Sequence, residues 1–356
     1  MFSSNRTRDE LSVKIGQMLM VGFRGLDVHD THPIIRDIRE RRIGGVLLFD
    51  RDAALSSPIR NIRNPPQVQR LIASLQQAAA LPLLIAIDQE GGQVNRLKPQ
   101  FGFPATVSAQ YLGWLNQLEI TAQYAAATAA TLANLGVNLN FAPVVDLNLN
   151  PANPVIGKFE RSFSADPEVV TAHALAWIKA HRQHRILCAL KHFPGHGSAR
   201  HDSHLGCVDV TDVWSEQELI PYTRLIQAGQ CDVIMTAHLF HAKLDPDAPA
   251  TLSQPIITGL LRERLGYTGV VASDDLQMQA ITSAYNLAAT IRLALAAGVD
   301  LFVFANNLVY DEEIAAKASA IIQELVQTEV VSRARIEQSY QRIVRLKAGL
   351  KELQIE

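Results

Sequence analysis

The fourteen residues from Lys191 to His204, KHFPGHGSARHDSH, hold one lysine, four histidines and one aspartate. Two glycines, Gly195 and Gly197, and Pro194 mark the stretch as irregular backbone rather than helix. Asp202 and His204 are two apart, so in extended chain their side chains point the same way. Asp202 can then accept a hydrogen bond from one imidazole nitrogen of His204, fixing its tautomer and raising its pKa, as a general acid/base requires. A competing reading builds a zinc site from His192, His196, His201 and His204. Their spacings match none of the helical zinc patterns, and Lys191 would repel a cation.

Other reactive side chains recur in one kind of place. Asp88, Asp146, Lys191, His192, His238 and Asp274 each sit at or just after the end of an apolar, strand-like run. A single strand-end aspartate is often only the cap of the next helix. Six such positions together are better explained by strand ends converging on one rim. In the SDD triplet, side-chain alternation separates the two acids: Asp274 continues the face of Val270 and Ala272, and Asp275 takes the other. A carboxylate at such a mouth can act as nucleophile, general base or metal ligand.

The elements that must position these groups alternate along the chain. Apolar runs of strand type cover Leu19 to Phe23, Gly44 to Phe49, Leu81 to Asp88, Val137 to Asp146, Ile186 to Phe193, Cys231 to His238, Gly269 to Asp275 and Val299 to Asn306. Between them, helical composition covers Asp9 to Met18, Ile34 to Arg42, Pro66 to Ala80, Glu119 to Leu135, Glu168 to His184, Ser215 to Ala228, Pro255 to Arg264 and Tyr285 to Ala297. Strands apolar on both faces and alternating with helices predict a closed (β/α)8 barrel. No GxGxxG or GxxxxGK[ST] follows a strand, which removes the usual support for an open nucleotide-binding sheet. Ile336, Tyr340, Ile343, Val344 and Leu350 are spaced for one helical face, so residues 332–351 read as a final helix on the barrel exterior. No linker or repeat divides the chain, and residues 1–356 are read as a single TIM-barrel domain.

Composition narrows the partner. A formal charge of −2 and a pI near 6.6 give no footprint for nucleic acid or an anionic membrane. The charged start, MFSSNRTRDELSVK, lacks an apolar signal core, and no apolar run reaches membrane-spanning length. Cys188, Cys207 and Cys231 are an odd number without metal-like spacing, as expected of reduced thiols in a cytoplasmic protein.

Taken together, KHFPGHGSARHDSH, IDQEGGQVNRL (Ile87 to Leu97), GVNLNFAPVVDL (Gly136 to Leu147), ERSFSADP (Glu160 to Pro167) and SDDLQM (Ser273 to Met278) resemble the β-N-acetylhexosaminidase branch of glycoside hydrolase family 3. The resemblance runs in order from about Ile15 to Phe304, and the DSH element is its most specific part. It implies a TIM-barrel enzyme that removes terminal β-linked N-acetylglucosamine with retention of configuration. Carried over residue by residue, it makes Asp274 the nucleophile, His204 the general acid/base and Asp202 the residue that orients it. Asp88, Arg96, Arg161, Lys191 and His192 match positions that hold the sugar. Parity does not require both Lys191 and His192 to face the cavity, so a bulge or turn between them is an added assumption. Where the family usually has a proline shortly after DSH, this chain has Leu205, Gly206, Cys207 and Val208.

The resulting expectation is a cytoplasmic, monomeric exo-β-N-acetylglucosaminidase without metal or organic cofactor. Its substrate is a small carbohydrate, a muropeptide of cell-wall recycling or a chitooligosaccharide. Three alternatives stay open: a glycoside phosphorylase on the same fold, a non-catalytic sugar-binding protein, and a zinc-dependent hydrolase.

Overall fold

The structure, a computed structural model, describes residues 2–203 and 205–352, with side chains described for 10–203 and 205–350. Eight parallel strands form one sheet: β1 (Leu19–Gly22), β2 (Gly45–Leu48), β3 (Leu84–Ile87), β4 (Leu139–Asn140), β5 (Leu187–Phe193), β6 (Val233–Thr236), β7 (Val270–Ala272) and β8 (Phe302–Phe304). They pair in chain order, β8 pairs back onto β1 (Leu19 with Phe302), and a parallel bridge from Ala272 to Leu301 joins β7 to the start of β8. The circle is therefore closed, as a (β/α)8 barrel requires.

Every residue of β1, β2, β3 and β5 is buried. Alternate side chains fill the barrel interior, while the others meet the surrounding helices, which is why the strands carry no polar face. β4 is much shorter than the run from Val137 to Asp146 suggested. Pro143 lacks the N–H that a ladder needs, and regular pairing stops at Asn140, resuming only as a bridge from Val144 to Lys191. The chain from 141 to 146 keeps single backbone bonds to Ile87 and Lys191 and carries Asp146 to the barrel mouth.

The longest of the helices absent from the sequence reading lies near the C-terminus; the short Ala109–Leu115 helix is another. Ile314–Gln327 buries Ile314, Ala315, Ala318, Ile322 and Val326 and supplies the helix that follows β8. The terminal helix Arg333–Glu352 buries Ile336 and Ile343 and packs Leu350, but Val344 is 38% exposed and leaves the face assigned to it.

This helix is held to the end of the barrel away from the mouth by charge. Asp300, fully buried just before β8, accepts from Arg262 Nη2 at 2.6 Å, Arg342 Nη1 at 3.0 Å, Ser339 Oγ at 2.5 Å and the Val271 N–H at 3.1 Å. Lys347 Nζ reaches Gln17 Oε1 at 2.7 Å and the Gly44 carbonyl at 2.8 Å, and burial pushes its amine down to about 7. No described helix is long and apolar enough to cross a membrane. Asp300→Ala leaves a group of guanidiniums without their shared anion. It is expected to lower the unfolding free energy in urea by about 3–5 kcal/mol. Wild-type stability for that variant would show that the cluster does not hold the terminal helix.

Candidate active site

The ends of β3, β4 and β5 place charged side chains side by side. Asp88 directly follows β3, and the chain then turns through a hairpin in which Gln89 pairs with Asn95, bringing Arg96 back to its base. Arg96 Nη2 donates to Asp88 Oδ2 at 3.2 Å, and Lys191 Nζ donates to Asp88 Oδ1 at 2.8 Å. The same ammonium lies 2.6 Å from Glu90 Oε1. Arg161 grips Glu90 with two parallel bonds, Nε to Oε2 and Nη2 to Oε1, each 2.8 Å, the bidentate geometry that makes a guanidinium specific for a carboxylate. Arg161 Nη2 also lies 3.3 Å from His192 Nε2. His192 in turn holds Asp146 through Nδ1 at 2.7 Å.

Five of the residues singled out from sequence, Asp88, Arg96, Arg161, Lys191 and His192, therefore form one continuous network. Lys191 and His192 are consecutive, and strict alternation would have sent them to opposite faces. The β5–β6 ladder shifts register between Leu190 and Phe193. The irregularity needed to turn both side chains to the site lies at that place.

Burial and charge act against each other here. Burial pushes the Asp88 carboxyl up, but Lys191 and Arg96 outweigh it and hold the group well below the usual carboxylate range. Glu90 is likewise pushed up by burial and drawn down further by Arg161 and Lys191. Asp146 follows the same pattern, with His192 the main opposing group. All three are thus carboxylates at neutral pH, acceptors for hydroxyl or amide donors.

Asp146, which the sequence placed among the candidates, is fully buried and supports the other groups. Besides the His192 ring it accepts the His192 N–H (3.1 Å to Oδ1) and the His196 N–H (2.8 Å to Oδ1). His238 is buried too, with Nδ1 on Thr251 Oγ1 at 2.8 Å and Nε2 on the Asp275 carbonyl at 2.9 Å, so it pins the chain beside Asp274. Asp274 lies at the end of β7, two strands round from β5, and is half-buried. Its Oδ1 accepts the Asp275 N–H at 2.7 Å. Asp275 is 8% exposed, and its Oδ1 takes the backbone N–H groups of Gln277 and Ala305 at 3.1 and 3.0 Å. Asp275 is thus the more buried of the two acids and Asp274 the more exposed.

In the histidine-rich loop, Asp202 is half-buried and its carbonyl accepts the Leu205 N–H at 3.1 Å. His204 lies outside the described residues. His196 is 2% exposed, its Nε2 is 3.2 Å from Ser203 Oγ, and burial beside His192 pushes it down to about 4. Of the four histidines offered for a zinc site, His192 and His196 have their rings edge to face at 5.9 Å, with His192 Nδ1 and His196 Nε2 engaged by Asp146 and Ser203. His201 is exposed.

Three charged positions of this region escaped the sequence reading. Glu90 stands two residues beyond Asp88, and that i, i+2 spacing was the available signal. Asp50, 1% exposed, lies just beyond the run ending at Phe49; it is 2.5 Å from Lys98 Nζ and 3.8 Å from Arg96 Nη1. Glu218, fully buried under the loop, sits within a stretch read only as helix.

The model of the glycosyl hydrolase family 3 N-terminal domain matches residues 10–346. Beta-hexosaminidase A of Pseudoalteromonas piscicida is 38% identical over 335 residues, covering 86% of this chain and 54% of that protein. A beta-hexosaminidase of Tolumonas auensis is 37% identical over 285 residues, 76% of this chain and 78% of its own. Among solved structures, the family 3 beta-N-acetylglucosaminidase of Paenibacillus sp. str. FPU-7 superposes with a TM-score of 0.87 at 36% identity, covering 96% of this chain and 62% of that one. The beta-N-acetylhexosaminidase of Beutenbergia cavernae gives 0.84 at 30% identity, with 95% and 98% covered. The chain spans about half the length of the Pseudoalteromonas relative, and nearly all of the Beutenbergia one. With its closed barrel and matching motifs, the chain belongs to glycosyl hydrolase family 3.

Proposed function

We propose that the protein is a retaining exo-β-N-acetylglucosaminidase acting on terminal, non-reducing β-linked N-acetylglucosamine. The observation that carries this reading is the alternating network Lys98–Asp50–Arg96–Asp88–Lys191–Glu90–Arg161, built on three strand ends with Asp274 on the same rim. Cations and carboxylates follow one another along it, so it offers fixed donors and acceptors without a strong net charge. Such a wall suits a neutral, polyhydroxylated ligand. The beta-hexosaminidase names carried by the relatives support the same substrate class.

In this mechanism a carboxylate oxygen of Asp274 attacks the anomeric carbon as the glycosidic bond breaks. His204, oriented by Asp202, gives its proton to the departing oxygen. Water then attacks the covalent glycosyl-enzyme, His204 takes back a proton, and Asp274 is released. Asp88, Arg96, Arg161, Lys191 and His192 hold the sugar; a histidine proton carrier avoids a second negative charge beside the nucleophile. We assign the catalysis to one barrel domain whose terminal helix, residues 332–351, packs on the exterior. Muropeptide fragments in the cytoplasm are the proposed natural substrate; three free cysteines, Cys207 exposed, suit a reducing compartment.

Asp274→Ala is expected to abolish release of 4-nitrophenol from its β-N-acetylglucosaminide, while the wild type releases the β-anomer of the sugar first, read by proton NMR. Product in phosphate buffer should be the free sugar and not its 1-phosphate by mass spectrometry, with rates unchanged by EDTA. Turnover by the Asp274 variant, or an α-anomer as first product, would overturn the mechanism. Sugar binding with no turnover would instead identify a non-catalytic binding protein. Lys191→Met, which removes a charged donor to the sugar site, should lower kcat/KM by about 10- to 100-fold, the equivalent of ~1.5–3 kcal/mol for a hydrogen bond to a charged group.

A further inference from the structure

The root of the histidine-rich loop rests on two buried carboxylates that come from different elements. The N–H of His196 donates to Asp146 Oδ1 at 2.8 Å, and the next N–H, of Gly197, donates to Glu218 Oε2 at 2.9 Å. Ser198 Oγ adds a bond of 2.5 Å to Glu218 Oε1. The fit leaves no slack: a Cβ on Gly197 would sit 1.6 Å from the Leu147 carbonyl oxygen, and one on Gly195, whose φ is +124°, 2.5 Å from Glu218 Cβ. The far end of the loop is tied to this root, because Ser203 Oγ meets His196 Nε2 at 3.2 Å. Ser203 lies between Asp202 and His204 in the sequence.

We propose that Glu218 is a positioning residue for proton transfer: it clamps the backbone of residues 197–198 and so sets the root from which Asp202 and His204 are presented to the leaving group. This rests on the reading of that pair as the proton carrier. Glu218 touches no substrate in this role and acts only through the loop.

The chemistry around Glu218 favours its neutral form. Burial pushes the carboxyl up to about 8, the bond from Ser198 drawing it back and the nearby charge of Asp146 raising it. Among the ionisable groups that face it are Asp146, from the chain beyond β4, and Tyr222, from the helix that follows it, whose own hydroxyl is pushed up by burial and by Asp146 and Glu218. The protonated acid accepts the Gly197 N–H through its carbonyl oxygen and shares a proton with Ser198. Above about pH 8 it becomes a second buried anion beside Asp146, and repulsion between the two carboxylates disturbs the root of the loop. Glutamine reproduces the protonated form, with a carbonyl to accept and an amide to donate, and cannot ionise.

The test compares wild type, Glu218→Gln and Glu218→Ala on 4-nitrophenyl, 2,4-dinitrophenyl and methyl β-N-acetylglucosaminides across pH 5–9.5. Glu218→Gln should keep kcat at pH 6 within about twofold and lose a basic-limb contribution near pH 8. Glu218→Ala should lose about 10- to 100-fold in kcat/KM on the methyl glycoside, part of the ~10²–10⁴ that general acid catalysis supplies. Its loss in kcat/KM on the dinitrophenyl glycoside should be several-fold smaller, since departure of that leaving group in the first step needs no proton. A pH profile for Glu218→Gln that superposes on wild type, or an equal loss on all three substrates for Glu218→Ala, overturns the assignment. Glu218→Gln remains decisive if the alanine variant fails to fold. Wild type inactive on every glycoside would refute the function proposed above rather than the role of Glu218.

Discussion

A lysine ammonium enclosed by the barrel mouth sets the terms for the whole site. Lys191 is 2% exposed and sits between Asp88 and Glu90. A buried cation is tolerated only where anions and hydrogen bonds replace its water. Each of those anions then needs its own further partner, Arg96 for Asp88 and Arg161 for Glu90, and the requirement propagates outward through Asp50 and Lys98 until it reaches partly exposed side chains. Pairs of this kind contribute little net stability, because desolvation offsets most of the attraction. What they supply is fixed direction, since a side chain held from both sides cannot rotate away from a ligand, and a preorganised site loses less on binding.

The barrel was legible because its physics is local. Strands buried on both faces must be apolar throughout, and helices that cover them must carry a stripe, so the alternation is visible in the residues themselves. The errors came where one local signal hides another. Val137 to Asp146 reads as a single strand by hydrophobicity, yet Pro143 ends its ladder. Ile314–Gln327 follows a polar stretch and was passed over, although its buried positions repeat at helical spacing.

The site was legible in part, for a different reason. Asp88, Lys191, His192 and Asp274 advertise themselves by ending apolar runs, whereas Arg96 and Arg161 were reached only through the resemblance to a family. Glu90 and Asp50 have their meaning only once Arg161 and Lys98, distant by 71 and 48 residues in sequence, stand beside them. Glu218 carries no sequence signal at all: its partners are backbone N–H groups and a serine hydroxyl across a loop, and any glutamate in a helix looks the same in one dimension.

Asp146 and Glu218 show how the same residue chemistry is divided between two states within one small region. Both are fully buried and both accept consecutive N–H groups of one loop. Asp146 also faces the ring of His192, itself against Arg161, and this environment holds it ionised against the pull of burial. Glu218 accepts from neutral donors beside the charge of Asp146, and burial prevails. The difference follows from the order in which the chain reaches the mouth. The extended segment beyond β4 delivers Asp146 to His192, which lies against Arg161, while the helix after the loop delivers Glu218 to the N–H of Gly197 and the hydroxyl of Ser198. Two carboxylates that both ionised there would repel each other beneath the loop; keeping one neutral lets both serve as acceptors. The charge pattern that fixes the side chains of the barrel mouth thus also decides the protonation of the support beneath the loop.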